Sequence, residues 1–349
     1  MRVPPRLVRR ALGPLVLATA WVLTVALLPV LVLISAVASY WLPGRWRGPR
    51  LLVFAFVGLS LELVALLAAL GLWVTSGFGR RFSSERSQRE HYAVLRGLLR
   101  ALVRVARRVF VLRLETDGVS WSPLDDGVPG STNAMVVLSR HAGPGDSLLL
   151  MDTLMNRDHL RRPRTVMKDT MALDPVVDVL FHRLPARFIN TDPRDGDDVE
   201  AVIATLATGL GEEDALLIFP EGGNFTPRRR LRAIDRLRRR GHNTYAERAE
   251  RMRHVLPPRP GGVLAAIQAA PHADLVFVAH TGLEHITGAR DAWRVLPDHK
   301  TLRLRWWFHP AADVPTGRDA RIEWLFERWA DIDSWIAEHE HEHERVDAG

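Results

Sequence analysis

Two long apolar stretches dominate the first 77 residues of the chain. Residues 12–42 contain no charged side chain, and residues 51–75 contain one, Glu62. Each stretch exceeds the roughly 20 apolar residues that cross the hydrocarbon core of a bilayer. Arginines flank both outer ends, which favours a transmembrane hairpin, residues 1–77, with both ends in the cytoplasm. Three further arginines lie in the loop between the stretches, so a shallow re-entrant pair is the alternative.

The pattern becomes amphipathic between Ser83 and Arg108. Leucine and valine recur near helical spacing, interleaved with arginines. The pattern predicts a basic connecting helix over residues 78–108. Such a helix either lies at the lipid headgroups, with its arginines on phosphates, or packs on the soluble domain as an ordinary surface helix.

From residue 109 to residue 349, short β-rich runs alternate with helical ones, which is typical of an α/β domain. The predicted fold is a mixed sheet flanked by helices, preceded by the transmembrane or re-entrant hairpin. The predicted strands are 110–115, 134–139, 165–168, 187–190, 215–219, 275–279 and 302–308. The predicted helices are 146–156, 174–183, 197–210, 227–253, 262–270 and 318–342.

The amino-acid composition excludes several kinds of site. The chain has 349 residues and no cysteine, which excludes disulfides, thiolate metal sites and a cysteine nucleophile. The formal net charge of +7 comes almost wholly from arginine. Arginines near the apolar segments suggest an anionic membrane surface as readily as nucleic acid.

The candidate chemistry begins where the strand over residues 134–139 ends. His141 follows it, then Ala-Gly-Pro-Gly, and Asp146 opens an apolar helix. The glycines permit a tight loop that can bring Asp146 against the His141 ring. A carboxylate there fixes the imidazole tautomer and supports the positive charge that forms when the ring accepts a proton. A histidine with a purely structural role is the alternative.

A second candidate motif follows the strand over residues 215–219. This apolar strand runs into Phe219-Pro220-Glu221-Gly222-Gly223, which places a carboxylate and flexible backbone at its carboxyl end. Ligands of open α/β sheets bind along that edge. A strand-terminating turn with a solvated glutamate is the alternative.

With both motifs in this order, the segment from His141 to His280 resembles the glycerolipid acyltransferases typified by lysophosphatidic acid acyltransferase. The hallmarks of that family are His, four residues and Asp, followed some seventy to eighty residues later by Phe-Pro-Glu-Gly. Lys168, Pro175 and the pair Phe188-Ile189 are similar to the second block of the family. Residues 255–262, with Arg259, are similar to a Pro-Arg-x-x-Gly segment, and residues 275–279 to the apolar fourth block.

The chain departs from the family pattern at three places. Residues 190–194 read Asn-Thr-Asp-Pro-Arg, so Arg194 is the candidate for the arginine of the second block. Gly223-Asn224 replaces the usual Thr-Arg after the Glu-Gly pair, and the fourth block lacks its proline and ends in His280. These departures concern the acceptor more than the reaction.

The resemblance implies that His141 is the general base and that Asp146 orients it. It implies an acyl group moved from acyl-CoA or acyl carrier protein to the hydroxyl of lysophosphatidic acid, without a metal or a further cofactor. Substrate-binding residues would be Glu221, Gly222, Gly223, Arg194, Lys168 and Arg259. The expected partners are anionic membrane lipids, the lysophospholipid acceptor and the acyl donor, not nucleic acid, and the catalytic domain is expected on the cytoplasmic side. The alternatives are another lysophospholipid or glycolipid acceptor, or a non-catalytic lipid-binding protein of the same fold.

An arginine-rich run, residues 228–240, follows the second motif. A solvated helix face is the simplest interpretation of this run. Binding of anionic lipid or of the CoA phosphates comes next. Nucleic acid is disfavoured because no aromatic residue interleaves the arginines.

Overall fold

A mixed sheet organises the part of the chain that the computed structural model describes, which comprises residues 3–41, 46–117, 133–143, 145–156, 160–190, 198–282 and 301–347. The strands are β1 (Arg113–Asp117), β2 (Met135–Ser139), β3 (Arg162–Lys168), β4 (Ala186–Ile189), β5 (Asp214–Ile218), β6 (Asp274–Thr281) and β7 (Thr301–His309). Their order across the sheet is β1-β7-β6-β2-β5-β3-β4. The β6–β7 pair is antiparallel and every other neighbouring pair in this sheet is parallel, so β2 to β6 all end at one edge.

Helices cover both faces of this sheet. The α-helices of the described residues are α1 (Arg6–Trp41), α2 (Arg47–Thr75), α3 (Glu85–Val109), α4 (Asp146–Asn156), α5 (Pro175–Phe181), α6 (Val199–Ala207), α7 (Pro227–Arg239), α8 (Asn243–Arg251), α9 (Pro260–Ala269) and α10 (Arg318–Asp347). Helices α6, α9 and α10 pack on one face, and α2, α3, α4 and α5 on the other. The central strands are buried on both faces, which explains why β2 and β5 read as continuous apolar runs. The predicted mixed sheet with flanking helices is confirmed.

The N-terminal helices form the predicted hairpin. Helices α1 and α2 are long and apolar enough to cross a membrane. They pack side by side, and the indole Nε1 of Trp21 on α1 donates a hydrogen bond to the Ser60 hydroxyl on α2 at 2.9 Å. The outward faces of both helices are rich in exposed leucine and valine.

Helix α3 runs antiparallel to α2 along most of its length. At one end, the Arg50 guanidinium donates to the backbone oxygen of Val109 at 2.7 Å. Further along, Ala69 of α2 and Leu95 of α3 are buried in the same apolar cluster. The apolar face of α3 is therefore buried against protein, and the contact of its arginines with lipid phosphates stays a prediction.

The predicted strands are all present, with ends shifted by at most three residues. The single helix predicted over residues 227–253 is wrong, because α7 ends at Arg239 and α8 begins at Asn243. Gly241 lies between them with φ +77°, a left-handed backbone that ends a helix. The apolar periodicity continues across this break, which is why the sequence pattern did not show it.

Candidate active site

The loop between β2 and α4 brings His141 and Asp146 together. His141 Nδ1 lies 2.8 Å from Asp146 Oδ2. Asp146 is the first residue of α4 and lies five residues after His141, so the pairing bridges only a short stretch of chain. The structure thus brings together the two side chains for which the sequence predicts catalytic roles.

The Asp146 carboxylate is a buried centre of hydrogen bonds. Its Oδ2 also accepts from the backbone amides of Ala142 at 2.8 Å and Gly143 at 3.1 Å, and its Oδ1 accepts from the amide of Ser147 at 2.6 Å. Burial alone would raise the pKa of Asp146, but these bonds, the His141 ring and nearby His280 outweigh it and hold the pKa below its usual range. Asp146 is therefore ionised at neutral pH and accepts a hydrogen bond from the Nδ1–H of His141.

The other side of the imidazole is available for chemistry. With the proton on Nδ1, Nε2 of His141 carries the lone pair that can accept a proton. The side chain is 22% exposed, and the Phe219 ring lies 4.5 Å from the imidazole, tilted by 31°. The backbone amide of Phe225 donates to the His141 carbonyl at 2.7 Å. The second motif therefore packs directly on the first.

Glu221 lies in this second motif, which we call the Pro-Glu-Gly turn, residues 219–223. Glu221 is 2% exposed, and among the described residues neither carboxyl oxygen has a hydrogen bond of good geometry. Burial raises the pKa of Glu221 well above its usual value, although Arg140 and the amides of Leu256 and His141 oppose the shift. A carboxyl buried in this way reaches an acceptor only if the turn opens, so its predicted contact with substrate remains a prediction.

The two glycines of the turn let arginines approach the backbone. Gly222 has φ +68°, and a Cβ there would lie 2.7 Å from Cζ of Arg259. A Cβ on Gly223 would lie 2.9 Å from Nη1 of Arg229. The amide of Arg259 also donates to the Pro220 carbonyl at 2.9 Å. The structure thus places Arg259 on the turn, next to the predicted Gly222 and Gly223.

Lys168 and Arg194 are the remaining two predicted substrate-binding residues. Lys168 ends β3 at the same sheet edge and is exposed, two strands away from β2. Arg194 lies outside the described residues. Both stay predictions.

Two residues near the dyad were not predicted as site residues. The buried ring of His280 places Nε2 3.8 Å from Asp146 Oδ2. Arg140 is also buried, and its guanidinium donates to the carbonyls of His280 and His254. Each ends or follows an apolar strand, β6 or β2, and a polar residue at that position is the signal that could have revealed it.

Within the described residues, no cluster of three or more histidine, aspartate or glutamate side chains is arranged to hold a metal ion.

Comparison with known proteins bears on this site. Residues 126–281 match the model of the Acyltransferase family. Among solved structures, the chain is similar to the crystal structure of the 1-acyl-sn-glycerophosphate (LPA) acyltransferase PlsC from Thermotoga maritima, with 13% identity and a TM-score of 0.49, covering 82% of this chain and 98% of that one. A comparison with curated proteins gives no match. The matched segment contains both the His141 loop and the Pro-Glu-Gly turn, so the match confirms the resemblance to the glycerolipid acyltransferases at the residues that carry it.

Proposed function

We propose that this protein is a membrane-associated O-acyltransferase that moves a fatty acyl group from acyl-CoA or acyl carrier protein to the free hydroxyl of lysophosphatidic acid, forming phosphatidic acid. The observation that carries the proposal is the dyad, with His141 Nδ1 held 2.8 Å from a buried, ionised Asp146 and the ring partly open. Asp146 positions the base.

In the proposed reaction, Nε2 of His141 accepts the hydroxyl proton as the acceptor oxygen attacks the thioester carbonyl carbon. The C–S bond then breaks, and the departing thiolate takes the proton back from the imidazolium. General base catalysis of this kind contributes about a hundred to ten thousand fold. Alignment of the substrates supplies a further part of the rate. The reaction as written uses the two substrates, and we propose no resident cofactor.

We also propose that α1 and α2 enter one leaflet from the cytoplasmic side instead of crossing the bilayer. Because α3 lies along α2, a spanning α2 would draw α3 into the hydrocarbon. Arg100, Arg104, Arg107 and Arg108 of α3 are exposed, and arginine at a bilayer centre costs at least about 2.5 kcal/mol. A re-entrant hairpin keeps these arginines near lipid phosphates, with anionic lipids as partners.

One observation supports a second class of acceptor as the alternative to lysophosphatidic acid. Gly223-Asn224 stands where the resemblance leads one to expect Thr-Arg, and Arg229 and Arg259 approach the turn from other segments. A displaced arginine set can suit a different headgroup, so another lysophospholipid or a glycolipid is the alternative acceptor. A non-catalytic lipid-binding role is the remaining alternative.

The test is acyl transfer by membranes that contain the full chain, with labelled acyl-CoA and a panel of lysolipids. His141→Ala is expected to lower the rate by about a hundredfold or more. His182→Ala is the matched control, since its side chain is also 22% exposed and lies 3.4 Å from Asp178. Transfer that survives His141→Ala removes the proposed base, and no transfer to any acceptor by the wild type supports the non-catalytic role.

A further inference from the structure

An arginine-lined groove opens behind the Pro-Glu-Gly turn. It has a volume of about 780 Å³ and lies between α7, the segment 256–261 and the start of α10. We call it the arginine groove. Its basic side chains are Arg229, Arg232, Arg236, Arg240, Arg259 and Arg318.

Helical spacing places the arginines of α7 along the groove. Arg229, Arg232, Arg236 and Arg240 follow one another at intervals of three, four and four residues, which is the repeat of one helix face. In contrast, Arg238 and Arg239 lie outside the groove lining and pair with Glu250 and Asp235.

The groove arginines have no such acidic partners. No ion pair joins any of the six to a carboxylate among the described residues. Glu200, Asp319 and the buried Glu221 also line the groove, so six basic side chains face three acidic ones. A bound anion would offset this excess at close range.

The surroundings of Arg259 show the same imbalance. Although Arg259 is exposed overall, the groove shields its guanidinium, which lowers the pKa of Arg259, and the charges of Arg236, Arg240 and Arg229 lower it further. These three positive charges repel the Arg259 guanidinium. A phosphate or carboxylate group bound between them would reduce the repulsion.

The size of the groove indicates a ligand with several phosphates. From residue 229 to residue 240 a helix rises about 16 Å, more than one phosphate monoester can bridge. Guanidinium groups bind phosphate oxygens with two parallel hydrogen bonds. The volume is that of a small-molecule pocket and differs from the flat surface to which a carrier protein would bind.

Aromatic side chains complete the lining. The Tyr245 and Phe326 rings stack 4.7 Å apart in the wall of the groove, and Pro257 and Pro258 border it. Rings and prolines of this kind offer an apolar surface on which a nucleobase can pack.

The groove borders the Pro-Glu-Gly turn, which separates it from His141. Gly222 and Gly223 line it, and Phe219 of the same turn packs on the His141 ring. A ligand in the groove could therefore extend a flexible arm past the turn to His141.

We propose that the arginine groove binds the 3′-phospho-ADP end of acyl-CoA, with the pantetheine arm passing Gly222 and Gly223 toward His141. This inference rests on the proposed function and makes CoA the preferred donor. It also selects one of the partners that the sequence left open for residues 228–240. The arginines hold the phosphates, and the Tyr245 wall receives the adenine.

The first experiment measures steady-state kinetics of the double variant Arg232→Gln/Arg236→Gln in the full chain. The KM for acyl-CoA is expected to rise about tenfold or more, with kcat and the acceptor KM changed less than about threefold. Arg238→Gln/Arg239→Gln is the matched control on the same helix and should keep the wild-type KM. An unchanged KM for acyl-CoA overturns the inference, as does an increase in the acceptor KM alone, which would assign the groove to the acceptor phosphate.

The second experiment measures binding without turnover. Titration of the His141→Ala protein with CoA, adenosine 3′,5′-bisphosphate and 3′-dephospho-CoA should give the tightest binding for CoA and at least tenfold weaker binding after removal of Arg232 and Arg236. Failure of CoA to bind, or equal binding by the variant, overturns the inference. CoA binding in a protein that transfers no acyl group leaves the groove assignment intact and refutes the proposed function. The inference is also overturned if the Arg232→Gln/Arg236→Gln variant still binds CoA but no longer uses acyl carrier protein as the donor.

Discussion

At the scale of single residues, Asp146 has the largest number of roles. Its carboxylate orients His141, accepts hydrogen bonds from three backbone amides and fixes the loop at the start of α4. An asparagine of the same shape would present an NH₂ group to donors that now meet an acceptor.

We therefore expect Asp146→Asn to lower kcat for acyl transfer by about two to four orders of magnitude, because the imidazole loses its preferred tautomer. The KM values should change little, since Asp146 is buried away from both substrates. Kinetic measurement at several acceptor concentrations separates the two constants. A kcat within threefold of the wild type would show that Asp146 does not position the base.

Glu221 gives a prediction with a pH dependence. Because its pKa is raised in the folded protein, the unfolded chain releases this proton first as pH increases. The stability that protonated Glu221 gives the folded protein is fully present below about pH 4 and is lost as pH rises. Glu221→Gln should therefore raise the Tm relative to the wild type at pH 8, and the gap should close toward pH 4.

Thermal unfolding across this pH range measures the effect, with Glu213→Gln as the control because that side chain is 69% exposed. A Glu221→Gln variant that is less stable than the wild type at pH 8 would show that the carboxylate is ionised and held by Arg140.

How well the site can be predicted depends on how far apart its residues lie in the sequence. His141 and Asp146 lie five residues apart, so one tight loop brings them together and the sequence alone indicates the pair. His280 lies 140 positions from Arg140, and its place beside Asp146 depends on β6 pairing with β2. Strand order of this kind is not encoded in local periodicity, so His280 was not foreseen.

At the scale of secondary-structure elements, the α2–α3 pair makes the proposed membrane arrangement testable. The chain has no cysteine, so one introduced cysteine is a unique label. Tyr40 lies near the tip of the hairpin and is 85% exposed.

In intact cells, a re-entrant hairpin predicts that Tyr40→Cys does not react with a membrane-impermeant maleimide added outside, because no part of the chain crosses the bilayer. Detergent should make it reactive. Glu213→Cys in the catalytic domain should behave in the same way from outside. Labelling of the hairpin tip from outside, with Glu213→Cys protected, would instead establish a spanning hairpin.

Element boundaries show what periodicity can and cannot predict. β2, β5, β6 and α4 follow from runs of apolar residues with clear polar ends. The break at Gly241 was missed because Leu237 and Tyr245 keep an apolar pattern across it. Helix α6 ends at Ala207 because Gly209, with φ +65°, takes the left-handed backbone that ends a helix. Helix ends depend on caps and contacts with neighbouring elements as well as on composition.

At the scale of the whole molecule, the sheet gathers its chemistry at one edge. β2 and β5 are neighbours, so the residues that follow them, His141 and Phe219, meet. The alternation of strands and helices predicted the α/β class. The position of β7, antiparallel to β6 and parallel to β1, could not be read from the sequence because antiparallel and parallel strands share the same local pattern.

The ion pairs that join Arg9 and Arg10 at the start of α1 to the buried Asp178 on α5 have a consequence for turnover. They fix the hairpin to the helix that follows β3, so with the hairpin inserted as proposed the reacting edge would keep a constant height above the lipid. Acceptors then arrive by lateral diffusion, and the quantity that governs their encounter with the enzyme is their mole fraction in the leaflet. Diluting the acceptor with inert lipid should therefore slow such an enzyme even when the bulk amount of acceptor is unchanged.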